Sequence, residues 1–172
     1  MTQQSLLNRI PDNKSLLQPT KYLFTFPDMP FLKYFLQNIN LPDVGTNAVT
    51  VPNLFANTYR HGDKLVYSPL RTTAIIDEDL RTWEETYDWL VALTSPEKWS
   101  QYAKYYKENG TLYHDGLLTI LTNANQPNIR FKFMDCHPVS ITGINFSTAD
   151  SAHTIITCDV EFRYDIFQID RL

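Results

Sequence analysis

The feature that most constrains this chain is an alternation of apolar and polar side chains in residues 155–169. A period of two, held over about a dozen residues, gives two separate faces only on a β-strand. The apolar face consists of Ile156, Cys158, Val160, Phe162, Tyr164 and Ile166. The polar face consists of Thr157, Asp159, Glu161, Arg163 and Asp165. The pattern predicts one strand roughly 40 Å long, which suits a sheet larger than one small domain requires.

The composition fits one folded domain. Of the 172 residues, 43% are hydrophobic and 20% are charged, which is typical of a globular protein and not of a disordered one. The net charge of −4, without a basic cluster, argues against tight binding to a nucleic-acid backbone. No apolar run approaches the ~20 residues of a membrane-spanning helix. Residues 1–14 lack a signal-peptide pattern, so we expect synthesis in the cytoplasm and no membrane partner.

Strands are predicted along most of the chain. Residues 1–19 read as a polar N-terminal arm with apolar anchors that include Leu6 and Leu7. Residues 31–41 fit either a strand or a helix. Strands are predicted at residues 21–26, 48–51, 65–76, 112–122, 129–133 and 139–146, before the long last strand. Strands, one helical insertion at about residues 77–108, and strands again predict a mainly β (β+α) domain over residues 20–172: an antiparallel β-sandwich or barrel with a flanking α-helix.

The helical insertion begins with a capping signal. Asp77 precedes the helix, where its carboxylate can accept hydrogen bonds from free backbone N–H groups. A helix packs through apolar side chains that recur every three or four residues. The predicted packing face of this helix is Leu80, Trp83, Tyr87 and Leu90.

Residues 53–64 read as an exposed loop or hairpin tip. Gly62 and Asp63 provide a turn signal, and Arg60 precedes them. Phe55 and Tyr59 are large aromatic residues in an otherwise polar stretch, which favours contact with another surface. The alternative is that both rings pack locally against their own strand.

No pattern predicts catalysis, a metal or a cofactor. The four histidines, His61, His114, His137 and His153, share no metal-ligand spacing. His114 and Asp115 read as a strand-end pair, since no nucleophile motif accompanies them. The five glycines form no phosphate-binding loop, so we expect no enzyme.

The two cysteines are expected to stay reduced. If residues 137–146 and 153–166 form a hairpin, Cys136 and Cys158 lie too far apart for an intrachain disulfide. Whether either cysteine pairs between chains stays open at this point.

Four short sequence segments, used here as landmarks, follow one another in order between about residues 19 and 170. They are Ile39-Asn40-Leu41-Pro42-Asp43-Val44; Gly62-Asp63-Lys64-Leu65-Val66-Tyr67-Ser68-Pro69-Leu70; Asp77-Glu78-Asp79-Leu80-Arg81-Thr82-Trp83 with Trp89; and Cys136-His137-Pro138-Val139-Ser140-Ile141, before a last strand that ends Tyr164-Asp165-Ile166-Phe167. In this order and spacing, the sequence resembles the tail tube proteins of contractile-tailed, T-even-like bacteriophages.

The resemblance implies a structural virion protein of the phage tail. Six subunits of such a protein form a ring with a β-barrel as its inner wall, and stacked rings make a tube whose lumen conducts DNA without specific binding. The implied partners are further copies of the chain, the sheath protein, the baseplate tube initiator and the tape measure protein. A tube initiator or terminator of the same fold is the alternative, and a small β-barrel binding domain is a more distant one.

The resemblance also implies roles for two sets of residues. Asp159, Glu161, Arg163 and Asp165 would face the lumen; the alternative is an ordinary solvated sheet face. Phe55, Tyr59, Arg60, Leu6 and Leu7 would make contacts between rings. Closure of the barrel across subunits would remove exposed sheet edges, which otherwise promote aggregation.

Overall fold

The computed structural model describes residues 14–27, 29–106, 111–149, 151 and 153–172. Its elements in chain order are β1 (Tyr22–Thr25), α1 (Pro30–Phe35), β2 (Leu36–Ile39), β3 (Val44–Thr46), β4 (Val49–Pro52), β5 (Asn57–Arg60), β6 (Leu65–Tyr67), β7 (Leu70–Ile75), α2 (Arg81–Thr94), α3 (Trp99–Tyr105), β8 (His114–Leu121), β9 (Pro127–Ile141), β10 (Thr157–Arg163) and β11 (Ile166–Arg171). The predicted mainly β fold with flanking helices is confirmed. Residues 31–41, for which a strand and a helix were the predicted alternatives, contain both, because α1 is followed directly by β2.

Seven strands form one bent antiparallel sheet in the order β1-β8-β9-β10-β7-β2, with β11 also beside β9. The bend lies along β9, whose 15 residues make a long strand. The first part of β9 pairs with β8 and β11, and its last part pairs with β10. Asp135, with a φ of 53°, lies where the two parts meet. The two halves of the sheet face each other across one core, in which the rings of Phe26 and Phe162 are 5.0 Å apart.

The prediction of one long last strand is wrong. Cys158, Val160 and Phe162 are buried as the alternation requires, but β10 ends at Arg163 and β11 begins at Ile166. The chain follows the bend of β9 at this point, and the backbone N–H of Asp165 donates to the carbonyl oxygen of Met134 at 3.1 Å. Beyond the bend the phase inverts, because Phe167 packs on the core while Ile166 is 43% exposed.

The long strand of the fold is β9, which the sequence divides into two predicted strands. Pro138 lies between the two predicted strands, and proline has no backbone N–H to donate to a ladder. In the structure Pro138 pairs with Phe162, at an irregularity in the ladder between β9 and β10. A bulge tolerates proline, so the strand continues to Ile141.

Asp77 caps α2 as predicted. Its carboxylate accepts hydrogen bonds from the backbone N–H groups of Arg81 at 3.0 Å and Thr82 at 2.9 Å. Leu80 lies between the cap and the helix with a φ of 58°, a left-handed conformation that is uncommon for leucine. The helix therefore starts one residue later than the predicted apolar face.

The predicted packing face of α2 is met at Trp83, which is partly buried and packs against the core, and is not met at Leu80 or Tyr87. Leu80 is 39% exposed, Tyr87 is 47% exposed, and Trp83 and Leu90 are only partly buried. Trp83 and Tyr87 stack on each other at 5.1 Å on the flank of the helix. The buried side chains are Thr82, Thr86, Trp89 and Ala92.

Trp89 is the side chain that joins α2 to the core. It is 1% exposed, and its ring lies 5.6 Å from Phe26 and 5.0 Å from His114. Its indole N–H donates to the carbonyl oxygen of Leu112 at 3.0 Å. Both cysteines are buried in the same core.

Candidate functional site

The exposed side of β2, β7, β10 and the end of β9 forms a polar sheet surface, called here the polar face. It carries Asn38, Arg71, Thr73, Ser140, Asp159, Glu161 and Arg163. Cross-strand pairing places Asp159 opposite Thr73 and Glu161 opposite Arg71. Thr73 donates its hydroxyl hydrogen to Asp159 at 2.6 Å, and Arg71 Nε lies 3.3 Å from a Glu161 oxygen. The second guanidinium, on Arg163, lies 3.9 Å from Glu161.

The charge of the polar face differs from the prediction. The sequence indicated three carboxylates against one guanidinium on this side of the last strand. The structure adds Arg71 from β7 and places Asp165 in the bend beyond β10. Two carboxylates, Asp159 and Glu161, therefore lie beside two guanidiniums, and their formal charges sum to zero.

Residues Val44 to Tyr67 form a second distinctive surface, called here the arm. Among the described residues its four strands pair only with one another: β3 with β6, and β4 with β5. The tip lies between β4 and β5, where Leu54 is 90% exposed and Phe55 is 95% exposed. Tyr59 is 71% exposed, so neither aromatic ring packs against its own strand.

The predicted turn at Gly62 has a different position in the hairpin. The tip is at residues 53–56, while Gly62 lies between the two paired parts of the arm, next to Asn47. A Cβ atom at Gly62 would collide with the backbone carbonyl oxygen of Asn47, which explains glycine there. Arg60, another predicted contact residue, is exposed at the end of β5. The predicted contacts through Leu6 and Leu7 lie outside the described residues.

The base of the arm is anchored at the bend of the sheet. The ring of Tyr67 lies 5.9 Å from that of Tyr164 and 5.5 Å from that of Phe167. The Tyr164 hydroxyl donates to the carbonyl oxygen of Ser68 at 2.9 Å, and burial raises the pKa of Tyr164 to about 12. This aromatic cluster fixes the direction of an arm that otherwise contacts solvent.

The bent sheet has free edges. Strands β1 and β2 lie at the two ends of its strand order, so one side of each has no strand partner among the described residues. The two edges approach each other, because the Tyr22 hydroxyl on β1 donates to the carbonyl oxygen of Gln37 on β2 at 2.8 Å. Leu23, on β1, is 46% exposed. Unpaired edges of this kind are templates for pairing with another chain.

The residues considered for chemistry have structural roles. His114 is buried, with Nε2 3.1 Å from the carbonyl oxygen of Tyr105. Tyr105 is itself 1% exposed and donates its hydroxyl hydrogen to the carbonyl oxygen of Glu85. Within the described part of the chain, no three His, Cys, Asp or Glu side chains are grouped to hold a metal ion. Among the described residues, none of the helices meets the length and hydrophobicity that a membrane span requires.

Comparison with known proteins finds matches among solved structures. No protein-family model matches the sequence, and neither does any curated protein. The chain superposes on the tube-terminating cap of the anti-feeding prophage with a TM-score of 0.62 and 9% identity, over 98% of this chain and 99% of that chain. A chain of the sixfold-symmetrised baseplate of the anti-feeding prophage matches with a TM-score of 0.58 and 12% identity, over 92% and 97%.

A third similar structure is a chain of the extended sheath–tube complex of PVC, an extracellular contractile injection system. Its TM-score is 0.57 and its identity 8%, over 92% of this chain and 94% of that chain. At these identities the likeness is one of fold. The chain has the fold that is found in cap, baseplate and sheath–tube assemblies of contractile injection systems.

Proposed function

We propose that this chain is a non-catalytic structural subunit of the inner tube of a contractile tail, related to the tail tubes of T-even-like bacteriophages. The observation that carries the proposal is the arm. Leu54 and Phe55 are at least 90% exposed at its tip, and apolar side chains in this position do not stabilise the fold of a single subunit. Assembly gives these side chains a partner surface.

Ring formation uses the free edges of the sheet. In a ring of six subunits, the edge at β1 of one copy lies near the edge at β2 or β11 of its neighbour. Pairing between them would satisfy backbone groups that a single copy leaves open. A closed barrel has no edges, so the ring would also protect the subunit from uncontrolled aggregation.

In this proposal the polar face lines the channel. Its two carboxylates and two guanidiniums leave no net positive charge to bind a passing polyanion such as DNA. The channel wall is therefore nearly neutral and does not attract DNA. Sheath protein, baseplate initiator and tape measure protein are the further partners, and the tail of the virion is the place of action.

A cap or initiator function is the second candidate. The similar structures include a tube-terminating cap and a baseplate chain as well as a chain of a sheath–tube complex, at TM-scores of 0.62, 0.58 and 0.57. Such small differences in fold similarity do not favour one position in the tail. A propagating tube subunit has to offer contact surfaces on both sides of its ring, whereas a cap uses one.

The first test removes the aromatic side chains of the arm. We expect a Phe55→Ala/Tyr59→Ala double variant to fold with an unchanged melting temperature and to lose tube growth, as measured by negative-stain electron microscopy. Tyr34→Ala is the matched control, because Tyr34 is 82% exposed on α1 and not on the arm. A fall in melting temperature that accounts for the loss of tubes would assign these rings to folding instead.

The second test concerns the channel. Replacing Asp159 and Glu161 with lysine changes the formal charge of the polar face from zero to +4 per subunit, since each substitution adds two charges. We expect tubes to form and genome delivery to slow, because a basic lumen holds DNA. Unchanged delivery through tubes of normal length would place this face away from the lumen.

A further inference from the structure

We propose that the arm tip of one subunit docks on the loop of residues 143–156 of the next subunit in the stack. This inference rests on the proposed function, because it names the contact by which rings would stack. The surface that receives the exposed tip is thus a part of the same sequence, presented by another copy and located at the opposite end of the sheet.

The register of β7 and β10 places the two surfaces at opposite ends. The arm joins β7 at Leu70, which pairs with Phe162. The loop joins β10 at Thr157, which pairs with Ile75 at the other end of β7. The six residues of β7 separate these ends by roughly 20 Å. The subunit thus carries a projecting tip at one end and the loop at the other.

The loop offers a concave surface that contains two apolar side chains, Phe146 and Ile156. A hollow of about 380 Å³ lies within it, and its lining is formed by Asn145, Phe146, Ser147, Thr148, Ser151, Thr154 and Ile156. Phe146 is 73% exposed at this hollow. Local hydrogen bonds shape the loop, since Ser147 Oγ accepts from the backbone N–H of Ala149 at 3.2 Å.

The two surfaces also match in charge. Residues 49–59 of the arm contain no charged residue, and residues 143–156 contain only Asp150, in a chain with 20% charged residues. Contact between them would bury Leu54 and Phe55 without removing a charged group of the arm tip from water. Each subunit of a ring would bury the apolar area of these two side chains once. The stabilisation of the contact between two rings is then the sum over all subunits of the ring.

A tip-to-loop contact joins different surfaces of two copies, so it does not close on itself. Each added subunit presents a new tip or a new loop, and the contact repeats as an open stack. A chain with both surfaces intact is therefore suited to propagate a tube, whereas a cap would use only one of them.

Cross-linking tests the contact. Ala56→Cys places a thiol at the arm tip, and Thr148→Cys places one beside the hollow, in two separate preparations of the full chain; both positions are exposed. The native Cys136 and Cys158 are 0% and 1% exposed and leave the engineered thiols as the reactive ones. We expect a short bismaleimide to give cross-linked dimers when the two variants are mixed under conditions in which the wild type forms tubes. Ser100→Cys, exposed on α3, replaces Thr148→Cys in the matched control.

The outcomes separate this inference from the proposed function. Dimers with Thr148→Cys that exceed those with Ser100→Cys at least fivefold support the contact. Tubes that form without this preference overturn the inference and leave the tube function in place. A wild-type protein that forms neither rings nor tubes, with no cross-link in the mixture, overturns both.

Discussion

Removal of the Trp89 side chain is the perturbation whose cost the structure determines best. Trp89 is 1% exposed, and burial of roughly 200 Å² of such a side chain corresponds to about 5 kcal/mol at about 25 cal/mol per Å². Trp→Ala substitutions in cores cost about 3–5 kcal/mol. The carbonyl oxygen of Leu112 also loses its indole donor. We expect Trp89→Ala to lower the free energy of unfolding by about 4–5 kcal/mol, which is a large part of the about 5–15 kcal/mol of a typical domain.

The matched variant is Tyr87→Ala on the same helix. Tyr87 belongs to the apolar face that the sequence predicted, but it is 47% exposed, so we expect a loss below about 1.5 kcal/mol. Urea unfolding followed by far-ultraviolet circular dichroism measures both, at a protein concentration below the onset of assembly. An equal loss for Tyr87→Ala and Trp89→Ala would show that the buried face of α2 is not the one centred on Trp89.

Three further predictions concern titratable groups. Hydrogen bonds from Thr82 and Arg81 outweigh the opposing effect of burial and lower the pKa of Asp77, so the stability that its carboxylate contributes is lost as pH falls through the folded-state pKa. We expect Asp77→Ala to cost about 1 kcal/mol at pH 7 by thermal unfolding, and this difference from the wild type to shrink below the ordinary pKa of 3.8. Burial raises the pKa of Glu85, so the charged carboxylate destabilises the fold as pH rises through the folded-state pKa. Glu85→Gln keeps an acceptor for the backbone N–H of Leu32, and we expect this variant to have a higher melting temperature than the wild type at pH 7 but not at a pH below 4.5, the ordinary pKa of the carboxyl. Burial raises the pKa of Cys158 to about 11, so a thiol reagent at pH 8 should label it only after urea unfolding, and rapid labelling of the folded protein would refute its burial.

The sequence predicted local properties of the strands well. The alternation in residues 155–169 identified the buried side of β10 as far as Tyr164, because the two faces of a strand follow directly from its period. It could not predict the bend, which is matched on another strand at Asp135. Arg71 was missed for the same reason, since only the register of β7 and β10 brings it to Glu161, 90 residues away in the chain.

Side-chain polarity alone does not identify the buried face of α2. Thr82 and Thr86 are buried although they are polar. The hydroxyl of Thr86 donates to the carbonyl oxygen of Thr82 at 3.4 Å, which satisfies it within the helix. Trp89 belonged to the landmarks of the resemblance, and its spacing of seven residues from Thr82 was a signal for the true face.

The exposure of the arm tip argues against local packing of Phe55 and Tyr59, and their contact with another surface stays a prediction. Phe55 lies between Asn53 and Asn57, and polar neighbours of this kind favour a hairpin tip. Whether that tip meets another copy depends on a second chain, which no local pattern describes.

The central claim, that this chain assembles into rings and tubes, is tested most directly by negative-stain electron microscopy of the purified protein at high concentration, alone and with its baseplate added. We expect rings or tubes with a central channel. Particles that stay monomeric in both samples, by microscopy and by sedimentation, would contradict it.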